Sequence, residues 1–283
     1  MNRSKVLTSL TLIAAVFSVV AVAQAQPDRS TAELNSPGTA RTLTLPLAAA
    51  KSPVISLGSA LDPQTGQVVE GYAIVRYKDQ PAKPDGRGKG GSTCYAFLGS
   101  GVKWKTPEFW RVNGANTRGL DAGYIYDNLS TNIDKWEDAA DGTIGNTGSV
   151  DILGYGISTT STLAADTAAP DGTNEVYFAN ISESGAIGVT IVWGVFGGPP
   201  RSRQLVEWDQ VYDDTDFDWS AAGEAGKMDF ENIATHELGH SIGLADLYTD
   251  ACANETMYGY AAEGQTNKRS LEAGDIAGVS KLY

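Results

Sequence analysis

The two histidines of this chain restrict its fold more than any other feature, because both belong to one short motif. The sequence of 283 residues contains only 2 histidines, and these are His236 and His240. A spacing of four residues places both imidazoles on one side of an α-helix, one turn apart, where they can reach the same metal ion. The apolar pattern of residues 228–244 is helical, so we predict a metal-binding helix here.

Neighbouring positions supply the rest of a hydrolytic metal site. Glu237 follows the first histidine and can accept a proton from a water molecule that the metal activates. Gly243 lets the chain leave the helix sharply, since glycine tolerates a positive φ. This turn brings back Asp246, which we predict to be the third ligand. Glu255 is the alternative third ligand, although it lies in a loop rich in glycine and asparagine.

The first 25 residues have the pattern of a secretory signal peptide. Arg3 and Lys5 precede an almost wholly apolar run at 6–23, and the sequence Ala-Gln-Ala at 23–25 matches a signal-peptidase site. We predict cleavage after Ala25 and a secreted product. The alternative is an N-terminal membrane anchor, for which the apolar run is long enough.

Composition divides the remainder into a leader and a larger acidic domain. Residues 26–93 carry 8 Lys and Arg against 6 Asp and Glu, whereas residues 94–283 carry 11 against 28. The stretch 78–91 has the Pro, Gly and basic residues of an exposed linker that a protease can cut. We therefore predict one domain at 94–283, preceded at 26–93 by a pro-segment or an N-terminal leader with a flexible linker. A pro-segment would make the protein a zymogen. The acidic charge argues against nucleic acid or an anionic membrane as a partner.

Apolar periodicity and turn residues predict an α+β domain. One helix is expected after the first strand, then several strands, then two helices. The predicted strands are 68–77, 108–112, 150–156, 175–181, 186–196 and 204–212, and the predicted helices are 120–140, 228–244 and 271–282.

The pattern H-E-x-x-H-x-x-G-x-x-D at 236–246 resembles that of the metzincin clan of zinc peptidases, and within it the matrixin-like group. The third-ligand aspartate is similar to that of the snapalysin group. Residues 256–258 resemble the Met-turn of the clan, and residues 271–283 resemble the closing helix of matrixin catalytic domains. The resemblance implies a zincin fold with a twisted mixed sheet, an active-site helix and a C-terminal helix. It also implies a zinc endopeptidase.

The resemblance also assigns expected roles to single residues. Met257 would form an apolar floor beneath the metal, although a lone methionine is ordinarily core filler. Asp275 would accept hydrogen bonds from the Met-turn backbone; an exposed helix aspartate is the ordinary alternative. The strand at 185–193 would be the free edge to which a substrate adds, although its apolar run equally fits a central, buried strand.

Two departures from the family pattern affect these expectations. No histidine remains for a second, structural zinc, so we expect one zinc ion per chain. The matrixin closing helix has an aspartate that captures the new N-terminal ammonium group after activation, and Gly274 stands in its place. The activation ion pair is therefore in doubt.

The 2 cysteines of the chain, Cys94 and Cys252, are predicted to form a disulfide, as pairs do in oxidising compartments. The alternative follows from the resemblance: matrixin pro-segments place a cysteine thiolate on the zinc. The residues around Cys94 do not match that switch motif.

Calcium and partners are less constrained by the sequence. The acidic run 213–218 offers oxygen ligands for calcium, but acidic loops are more commonly just solvated. We expect a monomer that acts on a protein or peptide substrate, with no nucleic-acid partner and no membrane partner after signal cleavage. The alternatives are a secreted metal-binding or adhesion module without turnover, and a zinc hydrolase of non-peptide amides.

Overall fold

A computed structural model describes residues 41–47, 52–78, 93–146 and 150–283 of the chain. The predicted signal peptide at 1–25 and nearly all of the predicted linker at 78–91 lie outside the described residues. The described residues belong to one unit, 33–283.

One mixed sheet forms the centre of this unit. Its strand order is β2-β3-β7-β8-β6-β4-β5, and β1 pairs with β6 beside this path. The strands β2, β3, β7 and β8 pair in antiparallel fashion, whereas β8, β6, β4 and β5 are parallel. The strands are β1 Thr42–Leu43, β2 Val54–Leu61, β3 Val68–Tyr77, β4 Trp110–Asn113, β5 Gly156–Ser158, β6 Asn174–Ile181, β7 Ala186–Val195 and β8 Gln204–Asp213. A separate small pair is formed by β9 Trp219–Ser220 and β10 Met228–Asp229.

Within the described residues, three α-helices accompany the sheet: α1 Ala122–Ala139, α2 Phe230–Ser241 and α3 Ala273–Leu282. An aspartate begins each of the first two, since Asp121 accepts a hydrogen bond from Tyr124 N and Asp229 accepts one from Asn232 N. Such caps satisfy backbone N–H groups that have no partner inside the helix. Short 3₁₀ turns occur at Pro200–Ser202, Asp250–Cys252 and Asn267–Arg269.

Both faces of the sheet are buried, each in its own core. On β7, Val192 packs with the helices in the larger core, whereas Val189 and Ile191 pack in a second core on the other face. This alternation follows from the period of two along a strand. It places every second residue of β3 and β7 on the face that also carries α2.

The predicted fold class is confirmed: the unit is α+β, with a mixed sheet, a helix that carries the histidines and a C-terminal helix. One predicted strand, 150–156, is wrong, because pairing begins only at Gly156. The buried residues Ile152 and Leu153 donate their backbone N–H groups to Glu137 Oε1 at 2.7 and 3.0 Å. The apolar run is therefore held by one carboxylate instead of a neighbouring strand.

The segment 26–93 contributes three strands to the same sheet as the residues that follow it. β1 pairs with β6, and β3 pairs with β7 from Glu70 to Tyr77. The expectation that the strand at 185–193 is a free edge is therefore wrong, since β7 lies between β3 and β8. The alternative, a central and buried strand, is the one that the structure shows. The division of the chain at residue 93 stays a prediction.

One covalent link bears on the compartment, because disulfides persist in oxidising surroundings. Cys94 and Cys252 form the predicted disulfide across 158 residues of sequence. Among the described residues, no helix has both the length and the apolar character needed to cross a bilayer.

We expect that replacing both cysteines by serine lowers the free energy of unfolding by about 2–5 kcal/mol, because the disulfide restricts a long loop in the unfolded chain. Chemical denaturation with and without a thiol reductant measures the effect. The reductant should lower the midpoint of the wild type and leave the double variant unchanged. A wild-type midpoint that does not respond would contradict the expectation.

Candidate metal centre

The end of helix α2 fixes the geometry of the site. Gly243 has φ 104°, its N–H donates to His240 O, and the N–H of Leu244 donates to Gly239 O. These two hydrogen bonds form a Schellman motif, which closes a helix through a left-handed residue. A Cβ atom at Gly243 would also lie 2.8 Å from Val102 O. Only glycine fits this turn, and the turn directs the following residues back towards the histidines.

Backbone carbonyl groups orient both imidazoles. His236 Nδ1 lies 2.6 Å from Thr256 O, and His240 Nδ1 lies 2.9 Å from Leu244 O. A carbonyl oxygen only accepts, so we assign the proton of each ring to Nδ1. Each Nε2 atom then keeps a lone pair, which is the tautomer that a metal ligand needs.

Asp246 completes a group of three possible ligands. Its Oδ1 lies 3.0 Å from His236 Nε2 and 3.5 Å from His240 Nε2. The donor atoms of the three residues all lie within 4.8 Å of one another. Tyr248 Oη donates to the other carboxylate oxygen, Oδ2, at 2.8 Å, which leaves Oδ1 facing the imidazoles.

This donor set fits a metal ion such as zinc. His236 Nε2 and Asp246 Oδ1 are buried, and neither makes a hydrogen bond of acceptable geometry within the described residues. Buried polar atoms without partners are costly, and coordination would satisfy both. Burial, followed by the charge of Arg76, holds the pKa of His236 well below its ordinary value, so this ring is neutral. Two imidazoles and one carboxylate are a common ligand set of catalytic zinc.

Glu237 lies beside the three ligands without joining them. Thr190 Oγ1 on β7 donates to Glu237 Oε2 at 2.6 Å, while Oε1 has no partner among the described residues. Burial raises the pKa of this carboxyl group, and the nearby His240 and Arg76 oppose the rise. Glu237 is therefore held in one orientation, with one oxygen available to exchange a proton.

Met257 and Asp275 hold the turn at 256–258 against helices α2 and α3. The close approach of Met257 to helix α2 requires glycine, since a Cβ at Gly239 would lie 2.2 Å from Met257 Sδ. Asp275 accepts hydrogen bonds from Thr256 N at 2.7 Å and from Met257 N at 3.1 Å. Helix α3 thus fixes the turn whose carbonyl group, Thr256 O, orients the first histidine.

Glu255, the alternative third ligand, is occupied elsewhere. Its Oε2 accepts hydrogen bonds from Gly274 N at 2.9 Å and Asp275 N at 3.1 Å, at the first turn of α3. Gly274 itself packs against the disulfide, because a Cβ there would lie 2.2 Å from Cys94 O. No larger residue fits at this position, which explains why no aspartate stands there.

Comparison with known proteins locates the similarity in the part of the chain that carries the ligands. The matrixin family model matches residues 201–283. Residues 201–283 are matrixin-like. Matrilysin of Rattus norvegicus is 37% identical to the chain over 70 residues, which is 25% of this chain and 25% of matrilysin. The matrixin-like segment thus contains all three candidate ligands, but the aligned part spans only a quarter of the curated relative.

The acidic run 213–218, predicted as a possible source of calcium ligands, does not form a group of possible metal ligands within the described residues. Asp213 accepts hydrogen bonds from the backbone of Thr215, Asp216 and Ile181. A second group of possible metal ligands is instead formed by Asp166, Glu207 and Asp209.

Sequence reasoning missed three residues of the site. Thr190 is the one polar residue within the apolar run 189–193, and Tyr248 follows the third ligand by two positions. Arg76 is a lone charge at the end of an apolar strand and is only 2% exposed. For Thr190 and Arg76, the available signal was a polar residue within an apolar strand. That signal does not tell which residue each side chain contacts, because the contact depends on how the strands pair.

The buried group of carboxylates predicts a pH dependence of stability. Burial raises the pKa of Glu207 from 4.5 to about 9, so the folded state binds this proton more tightly than the unfolded state does. The resulting stabilisation is complete below pH 4.5 and is lost as the pH rises towards about 9. We expect Glu207→Gln to match the wild type at low pH and to be more stable near pH 9, by about 1 kcal/mol or more.

Thermal unfolding across this pH range, with a chelator present to remove divalent cations, measures the difference. The exposed Glu224, replaced in the same way, is the matched control and should leave the pH profile of the wild type unchanged. Parallel profiles for the wild type and Glu207→Gln would contradict the expected loss.

Proposed function

We propose that the protein is a secreted zinc-dependent endopeptidase. The observation that carries this proposal is the convergence of His236, His240 and Asp246 on one point, with Glu237 beside them. The match of residues 201–283 to the matrixin family supports the same activity. We assign His236, His240 and Asp246 as the ligands of one zinc ion and Glu237 as the general base.

A bound zinc ion supplies Lewis acidity, which lowers the pKa of water and polarises a carbonyl group. The protein residues supply orientation and proton transfer. Glu237 accepts a proton from the attacking water at Oε1 and returns it to the leaving amine. Thr190 would hold Oε2 during both transfers, and Tyr248 binds Asp246 Oδ2, which leaves Oδ1 facing His236 and His240 as a ligand atom.

An extended peptide is the substrate that we propose, and it would bind antiparallel to β7. Such binding uses the backbone of a strand for affinity and its side-chain pockets for specificity. Gly188 of β7 also lies close to Glu237, since a Cβ there would lie 3.7 Å from Glu237 Cδ. The absence of a side chain leaves room for a carbonyl group beside Glu237.

We also propose a compartment and an oligomeric state for the protein. The disulfide supports an oxidising compartment, and the sequence of residues 1–25 supports export. We propose that the secreted protein is a monomer and that any calcium ion it binds is structural.

We expect Glu237→Ala to keep its zinc and to lose about 100- to 10,000-fold in the rate of casein hydrolysis, because it removes general acid–base catalysis. Each protein is assayed both uncut and after limited trypsin digestion in the linker 78–91, and its zinc is measured by mass spectrometry. If neither form of the zinc-loaded wild type hydrolysed casein or a broad peptide library, the peptidase proposal would fail. A binding module would then be the better description.

Asp246→Asn tests the least certain ligand. We expect zinc affinity to fall by about 100-fold or more, since losing even a residue that orients a ligand costs about 10- to 100-fold. Glu255→Gln is the matched control, because that carboxylate binds the backbone of α3 instead. A larger loss of zinc in Glu255→Gln than in Asp246→Asn would exchange the two assignments.

A further inference from the structure

The strand that the proposed substrate would join is already paired. β3 runs antiparallel to β7 from Glu70 opposite Gly194 to Tyr77 opposite Ala186. An extended substrate would use the same backbone groups of β7 in the same direction. Residues 68–77 therefore take the position of a substrate, and they come from the segment that precedes the matrixin-like part of the chain.

Arg76 lies where this strand passes the site. It pairs with Gly188, so its side chain leaves β3 on the face that carries Glu237. The guanidinium group donates from Nη2 to Tyr260 O at 3.3 Å, while Nε and Nη1 have no hydrogen-bond partner among the described residues. Its charge acts on Glu237 and on Asp246. A buried cation is thus placed between β3 and the acidic groups of the site.

The result is a site that is almost closed to solvent. His236 is 0% exposed, and Glu237 and His240 are each 1% exposed. A peptide bond cannot approach Glu237 in this arrangement. Some part of the surrounding structure has to move before the proposed reaction begins.

β3 is the element whose departure would uncover the site, because it lies between β7 and the last strand of the sheet. β2, its other neighbour, is the outermost strand of the sheet and is largely exposed. The sequence that follows β3 is the basic, glycine-rich stretch 79–92. Charge also favours docking of this segment, since residues 26–93 carry a small positive excess and residues 94–283 a large negative one.

We propose that residues 68–77 are an intramolecular competitor of the substrate, and that Arg76 is the residue that closes the site over Glu237. This inference rests on the proposed peptidase function. Opening requires β3 to leave β7. A cut within 79–92 favours departure, because it removes a tether that holds the strand at an effective concentration on the order of millimolar. The inhibitory group is a guanidinium on a paired strand, and Cys94 takes no part because it is in the disulfide.

Two glycines provide a matched test in the uncut full chain. A Cβ at Gly71 on β3 would lie 2.6 Å from the ring of Trp193, and a Cβ at Gly156 on β5 would lie 2.4 Å from the ring of Trp110. Gly71→Ala therefore weakens the pairing of β3 with β7, whereas Gly156→Ala makes a similar clash at the opposite end of the sheet.

We expect Gly71→Ala to release zinc to 1,10-phenanthroline about tenfold faster than the wild type, and to hydrolyse casein faster by a similar factor, because the open population increases. Gly156→Ala should match the wild type in both. Equal behaviour of the two variants would overturn the proposal. Faster zinc release without hydrolysis would support the closure and contradict the peptidase function.

A second measurement needs neither zinc nor activity, and it does not depend on the folding of a glycine variant. Wild-type protein is cut with trypsin in 79–92, the released fragment is removed by gel filtration, and amide hydrogen exchange of β7 is compared with that of the uncut chain. We expect faster exchange along β7 after the cut. A fragment that stays bound, with unchanged exchange, would show that β3 is a permanent strand and would overturn the proposal.

Arg76→Ala distinguishes the effect of the Arg76 side chain from the effect of β3 pairing with β7. Removing the guanidinium group should speed zinc release from the uncut chain while exchange along β7 stays slow. Unchanged zinc release would overturn the role assigned to Arg76.

Discussion

The left-handed turn at Gly243 is the constraint on which the rest of the site depends. One residue with φ 104° ends the helix that carries the two imidazoles and places Leu244 O against His240 Nδ1. The same turn brings Asp246 back, so that a ligand set is assembled within eleven residues of sequence (236–246). The sheet and the other two helices act on this local unit from outside: α3 orients His236 through the turn at Thr256, and β7 orients Glu237 through Thr190. The turn at Gly243 thus brings the candidate ligands together, and contacts with α3 and β7 fix the orientation of His236 and Glu237.

This division explains how much of the protein could be predicted from its sequence. The three candidate ligands follow one another at helix and turn spacing, so the motif was sufficient to predict that their side chains meet. Apolar periodicity located the three helices and most strands of the described residues. Strand pairing was not predictable in the same way, because residues 68–77 carry no mark of their partner, which begins more than 100 positions later. The strand predicted at 150–156 was wrong for a similar reason. The Glu137 carboxylate accepts the backbone hydrogen bonds of Ile152 and Leu153 that a neighbouring strand would otherwise accept. The contributions of Thr190 and Arg76 depend on these pairings and were missed for the same reason.

The similarity to matrixins covers only part of the sheet that surrounds the candidate metal centre. The match to the matrixin family begins at residue 201 and contains β8, α2 and α3. One neighbour of β8 is β7, which lies before the match, and β3 lies earlier still. The elements around the candidate metal centre therefore come from parts of the sequence with different degrees of resemblance. The three candidate ligands lie in the part that resembles the family, whereas β7 and β3 lie outside the match.

The packing of Gly274 against Cys94 has a consequence for the chain end that a cut in the linker would create. Where the resemblance expects an aspartate to hold a new ammonium group by charge, a Cβ would strike Cys94 O. The disulfide to Cys252 holds the same region of chain by a covalent bond. Ionic strength and acidity, which weaken an ion pair, leave this covalent attachment intact. Wherever in the linker a cut fell, the disulfide would keep Cys94 joined to Cys252.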